Sequence, residues 1–155
     1  MRDGFRDSPN RIPWPPILLG GAVVGGLLLN GVLPALYLGD LQGVVGLLVF
    51  GAGVGLVLWA FRAFRAARAN ILPHRPADAL LTEGPFAISR NPIYAGEVLA
   101  FIGLGLATGS TGLIVAGLAL GYGVEKLAIE REEIHLQARF GEAYAAYAAR
   151  VRRWL

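Results

Sequence analysis

Residues 84–97, GPFAISRNPIYAGE, open a long apolar run yet carry Arg90, Asn91, Tyr94 and Glu97. Pro92 suits the first turn of a helix, where its missing N–H costs nothing, and Asn91 then falls at or near the N-cap. Arg90 is placed to snorkel to a membrane interface and Tyr94 to join the aromatic belt there. Glu97 is harder to accommodate. It follows Tyr94 by three residues and so lies on a similar side of the helix. A charged acid deep in a membrane span costs roughly 2.5–3.5 kcal/mol on insertion scales. Glu97 is therefore expected to face a polar cavity or to pair with a base such as Arg90.

The rest of the chain makes a bilayer its natural solvent. Of 155 residues, 55% are hydrophobic and only 16% charged, against about 25% charged in an average soluble domain. The mean hydropathy is +0.54. Four apolar segments follow, at residues 14–38, 41–61, 92–108 and 111–129. Each is near the roughly 17–25 residues that cross a bilayer as a helix. Helix is the conformation that satisfies every backbone group in lipid. The predicted fold is all-α: one domain, residues 1–155, forming an integral membrane bundle of four transmembrane helices, with a cytosolic loop and C-terminal helices.

Charge orients this bundle. All 14 Lys and Arg residues fall before the first segment, between the second and third, or at and beyond the end of the fourth. The turns near Gly39-Asp40 and Gly109-Ser110 carry none. By the positive-inside rule, both termini and the middle loop are cytosolic. The basic residues flank spans and match no nucleic-acid fold, so no nucleic-acid partner is expected despite a net charge of +3. The chain has no cysteine, which excludes disulfide and thiolate chemistry. His74 and His135 are far apart and no metal-ligand spacing occurs, so no metal site is expected. The glycines of GGAVVGG (20–26) and GAGVG (51–55) offer surfaces for close helix packing.

Two cytosolic stretches exceed what a simple bundle needs. The middle loop carries prolines at 73, 76, 85 and 92, which exclude one continuous helix. A long, constrained loop of this kind is often functional. After residue 129 the chain reads EREEIHLQARFGEAYAAYAARVRRWL. It predicts a helix, a break near Phe140-Gly141 and a short second helix, with Leu136, Phe140, Tyr144 and Tyr147 at helical intervals. Lys126 and Glu130 form an i,i+4 pair. Glu132 and Glu133 point roughly 100° apart, so one can face inward.

Together these elements resemble the isoprenylcysteine carboxyl methyltransferase family, with phospholipid methyltransferases as broader relatives. Thr82, Gly84, Pro85, Phe86, Arg90, Asn91, Pro92, Tyr94 and Gly96 match its first motif; Glu132, Glu133, Leu136, Phe140, Gly141, Tyr144 and Tyr147 match its second. The likeness covers about residues 72–155. It implies an integral membrane methyltransferase that uses S-adenosylmethionine. The cofactor pocket would be built by the middle loop, the Arg90–Tyr94 segment and the twin-glutamate helix. The cofactor-binding residues it implies are His74, Leu81, Thr82, Gly84, Pro85, Arg90, Asn91, Tyr94, Glu132 and Glu133, with Arg90 and Glu132 the catalytic candidates. Asn91 stands where eukaryotic members carry His, and an amide does not titrate near neutral pH. Glu97 lies outside the motif and is a candidate for tuning the acceptor.

The implied acceptor is lipophilic or small, a carboxylate, thiol or lipid amine, entering from the bilayer. Methyl transfer from a sulfonium chiefly needs alignment in a dry site. The scarcity of an obvious base leans toward a carboxylate or thiol, since an amine must lose a proton. The Ala, Gly and Arg-rich composition points to a bacterial inner membrane. Two other classes remain open. A sterol-reductase-like enzyme using NADPH shares an Arg-His-x-x-Tyr-x-Gly segment, and a non-enzymatic packing protein would explain the glycine-rich spans.

Overall fold

The computed structural model describes residues 12, 14–69, 77 and 79–155. His74 lies outside the described residues. Among them the regular structure is entirely helical: α1 (Trp14–Leu29), α2 (Gln42–Ala66), α3 (Pro92–Thr108), α4 (Thr111–Val124), α5 (Glu130–Phe140) and α6 (Glu142–Arg150). A 3₁₀ turn at Gly84–Ala87 precedes α3, and a π-turn at Glu125–Ile129 joins α4 to α5. Two helices are long and apolar enough to cross a membrane, Gln42–Ala66 and the continuous rod Thr111–Phe140. Trp14–Leu29 and Pro92–Thr108 are shorter apolar helices.

The packed pairs are α2 with α3, α3 with α4, and α4 with α1. Contact between α2 and α3 is backbone to backbone. A Cβ on Gly46 would sit 2.2 Å from the Ala107 nitrogen, and one on Gly103 would sit 2.2 Å from the Phe50 nitrogen. Gly53 and Gly96 face each other in the same way two turns on. Glycine permits this approach because dispersion between closely set helices replaces a hydrophobic drive that lipid does not supply. Within GGAVVGG only Gly26 is used, against Gly112 and Ala116 of α4; Gly20, Gly21 and Gly25 have open space. Many large apolar side chains on α1 and α2 are exposed, including Leu27, Leu28, Val44 and Leu48.

The first apolar segment departs from its expected form. It is helical only to Leu29, and the chain from Asn30 to Asp40 is turn and irregular structure. Asn30 is recruited elsewhere: its Oδ1 accepts from Ser110 Oγ at 2.7 Å and from Gly112 N at 3.1 Å. Pro34 further biases its predecessor away from helix. Gln42 Nε2 donates to the carbonyls of Leu36 and Leu106. Ser110 caps α4 by accepting from Leu113 N. The second helix runs five residues past its expected end at residue 61. It closes where Arg68 turns left-handed (φ 51°) and Ala69 N bonds to the Phe64 carbonyl.

Candidate active site

The charged ends of the helices meet at one end of the bundle. Here α1 begins, α2 ends, α3 begins and the α4–α5 rod emerges. They enclose a cavity of about 330 Å³. Pro15, Leu19, Phe61 and Phe64 form part of its apolar wall, and Arg90, Tyr94, Glu97, Glu132 and Glu133 supply its polar lining.

The polar lining is bonded across elements. Tyr94 of α3 donates its hydroxyl to Glu132 Oε1 of α5 at 2.9 Å. Arg90 reaches Glu133 Oε1 at 3.1 Å, and its side chain is 16% exposed. A longer contact of 3.5 Å runs from Arg90 to the Tyr144 hydroxyl. Both glutamates are therefore used from the inner side of α5, each by a different partner on or before α3. Their separation around the helix is what lets them do so. The π-turn just before them interrupts the regular α-helical ladder at the foot of the rod, a placement common at functional sites.

The C-terminal tail locks this arrangement. Arg153 pairs with Glu133 through two nitrogens, at 3.1 and 2.7 Å, and with Glu125 at 2.9 Å. The hydrogen-bonded Glu133 carboxylate pushes the Arg153 guanidinium above its ordinary range, so it stays charged. Trp154 donates its indole N–H to Glu125. Arg90 N donates to the Arg152 carbonyl, and Ser89 Oγ and Asn91 Nδ2 both donate to the Arg153 carbonyl. Tyr147 donates to the Phe86 carbonyl at 2.7 Å and so fixes the 3₁₀ turn. Burial pushes the Tyr144 and Tyr147 phenols up to about 12, which keeps both as hydrogen-bond donors.

Two expectations hold in part: Asn91 stands at the start of α3 and Glu97 lines the cavity. Asn91 occupies the N-cap position of α3, but its side chain makes no cap bond there. It is turned to the C-terminal tail, which needs donors for its free carbonyls. Glu97 does not pair with Arg90, whose guanidinium is bonded to Glu133 instead.

Leu81, Arg90, Asn91, Tyr94, Glu97, Glu132 and Glu133 all line the cavity. Thr82, Gly84 and Pro85 do not; they shape the turn leading to it. Gly84 has φ 60° and packs over the Trp59 ring, and Pro85 is buried. Residues missed as site members are His135, Tyr144, Tyr147 and Arg153. His135 is 2% exposed, lines the cavity and accepts from Ala77 N at 3.2 Å. Its i+3 spacing from Glu132, on the same helix face, was the available signal.

A family model described as phospholipid methyltransferase matches residues 41–143. The chain therefore belongs to the phospholipid methyltransferase family, a family of integral membrane methyltransferases. It is also similar to the nickel-cobalt-cadmium resistance protein NccN of Alcaligenes xylosoxydans xylosoxydans, 36% identical over 76 residues. The cobalt-zinc-cadmium resistance protein CzcN of Cupriavidus metallidurans is 34% identical over 76 residues. Each match covers 49% of this chain and 35% of the relative, so the chain spans about a third of the length of the curated relatives it matches. No solved structure matches the chain. Among the described residues, no group of three or more His, Cys, Asp or Glu side chains is placed to hold a metal ion.

Proposed function

We propose that this protein is an integral membrane methyltransferase that uses S-adenosylmethionine and methylates a lipophilic or small acceptor. The observation that carries the reading is the cavity in which Tyr94 bonds Glu132 and Arg90 bonds Glu133, inside the region of the family match.

The residues present fit that cofactor. Arg90 keeps a buried Nε without a hydrogen-bond partner, a spare donor suited to a carboxylate. Glu132 and Glu133 are acceptors suited to ribose hydroxyls or an ammonium. Phe61, Phe64 and Phe86 provide apolar surface for a purine. When bound, the cofactor would supply an electrophilic methyl group on a sulfonium. The chain's part is to orient and to exclude water. Tyr94 holds the Glu132 carboxyl in place, and the Arg153 lock holds Glu133 against Arg90. The apolar walls keep the site dry, where fixed charges act more strongly than in water.

The test is a titration of purified protein in detergent with S-adenosylmethionine. Binding is expected, weakened by about tenfold or more in Glu132→Gln and in Arg90→Ala. Absence of binding in protein shown to be folded would overturn the cofactor. Unchanged affinity in both variants would overturn the site.

The reading includes four spans with both termini cytosolic, in a bacterial inner membrane. Its support is the placement of charge. Arg62, Arg65 and Arg68 lie exposed at the cavity end, whereas residues 30–41 and 109–110 at the other end carry no basic residue. At 1.5 Å per residue the 16-residue α1 is only about 24 Å long, so on this reading the non-helical chain after Leu29 completes its crossing. The native chain lacks cysteine, so single substitutions report cleanly. In intact cells, a membrane-impermeant thiol reagent should label Asp40→Cys and spare Arg139→Cys. Equal labelling of both would sink this topology.

A further inference from the structure

The rod Thr111–Phe140 is continuous, yet it is not one α-helix, because residues 125–129, EKLAI, form the π-turn. The Glu130 N–H donates to the Glu125 carbonyl, five residues back, where an α-helix uses the fourth. The buried stripe of the rod shows the same slip. Leu120 and Val124 are four apart, Val124 and Ile129 five apart, and all three meet in one core cluster. Glutamate, lysine, leucine and alanine are strong α-helix formers, and the turn holds no proline or glycine. The local sequence therefore favours an α-helix here, and the π-turn has to be held from outside.

The holding contacts come from the C-terminal tail. Both carboxylate oxygens of Glu125, the first residue of the turn, are taken. Oε1 accepts from the Arg153 guanidinium at 2.9 Å and Oε2 from the Trp154 indole at 2.9 Å. Trp154 also packs against the cluster of Leu120, Val124 and Ile129, which straddles the turn. Neither Glu125 nor Trp154 lines the cavity. They act on it through geometry. One residue more in the turn rotates everything after it by about 100° relative to an unbroken helix. In an unbroken helix Arg131 would stand at the angle Glu132 holds against Tyr94, and Glu132 at the angle Glu133 holds against Arg90.

We propose that Glu125 and Trp154 are positioning residues: by holding the π-turn they set which side chains of α5 the cavity presents to the cofactor. The consequence for the cofactor rests on the methyltransferase reading; the geometry does not.

The chain has no cysteine, so nitroxide labels can be placed through Ala119→Cys and Ala138→Cys, at two exposed alanines of the rod. With the π-turn they share one side of the rod. In an unbroken helix they stand about 100° apart, and the labels separate by about 5 Å more. The label distance is measured in detergent without cofactor, S-adenosylmethionine is titrated in parallel, and Tm is recorded. Trp154→Phe keeps an aromatic ring and removes the N–H, and Glu125→Ala removes the acceptor. Each is expected to add the longer distance and to weaken cofactor binding by about tenfold. Glu125→Gln retains one acceptor and should fall between wild type and Glu125→Ala in both readouts, which keeps the test decisive if Glu125→Ala does not fold. An unchanged label distance in the folded variants would overturn the proposal, whatever their affinity. So would a changed distance with full cofactor affinity, or a wild-type distance that matches an unbroken helix. A lower Tm with the distance unchanged would make the tail contacts structural only, again overturning it. A wild type that shows the π-turn distance, and its shift in the variants, but binds no S-adenosylmethionine refutes only the methyltransferase reading.

Discussion

Both ends of the helical bundle are polar, and they are built on opposite terms. At the end formed by residues 30–41 and 109–112, the described polar side chains are uncharged apart from Asp40, and they bond mainly to backbone. Asn30 serves Ser110 and Gly112, Gln42 serves Leu36 and Leu106, and Thr111 serves the Pro34 carbonyl. These contacts end helices and close turns. At the cavity end, charged side chains bond across α3, α5 and the tail. Among the described residues, two buried side-chain atoms, Arg90 Nε and Glu97 Oε2, are left without partners. A polar group whose bonds are complete stabilises the fold. One that is buried and incomplete marks a place where a ligand belongs.

Variants that separate stability from binding distinguish the two ends. Arg153→Ala should have the largest effect. It leaves Glu133 with Arg90 alone and the tail held only through its backbone carbonyls, so stability should fall by about 2 kcal/mol, between the values for exposed and buried pairs. Cofactor affinity should fall with it. Thermal unfolding in detergent beside a binding titration measures both, and a stable variant with full affinity would show that the tail is no lock.

Asn30→Ala comes next. It strands the Ser110 hydroxyl and the Gly112 N–H, at a cost of about 1 kcal/mol. The same two measurements should show lower Tm with unchanged cofactor affinity. Coupled loss of both would mean that the two ends are not independent. Lys126→Ala is the smallest. Its i,i+4 pair with Glu130 is about half exposed and screened by solvent, so Tm and cofactor affinity should both stay unchanged, although it belongs to the charged end. A large effect there would show that charge as such, rather than its burial between elements, sets the behaviour of that end.

Much of this architecture is legible locally. Pro92 starts α3 and the left-handed Gly109 ends it (φ 67°), because each residue has backbone properties that do not depend on its neighbours in space. The break at Gly141 between α5 and α6 is of the same kind. The end of α1 at Leu29 is not, since Asn30 is drawn off by Ser110 and Gly112, 80 and 82 residues away. Nor is the part played by Asn91, whose position predicts a cap and whose amide instead reaches the Arg153 carbonyl.

Helicity, suitability for a membrane, the grouping of charge around the spans and the two motifs that carry the polar groups are all written in the order of residues. Hydropathy, helical period and proline or glycine geometry are local properties. The pairings come from packing in three dimensions: Arg90 with Glu133 rather than Glu97, Tyr94 with Glu132, and His135 with the Ala77 backbone. Spacing along a helix assigns a side chain to a face. Which faces meet follows from the close glycine contacts that set α2 on α3 and α1 on α4, and from the C-terminal tail folding back onto the start of α3.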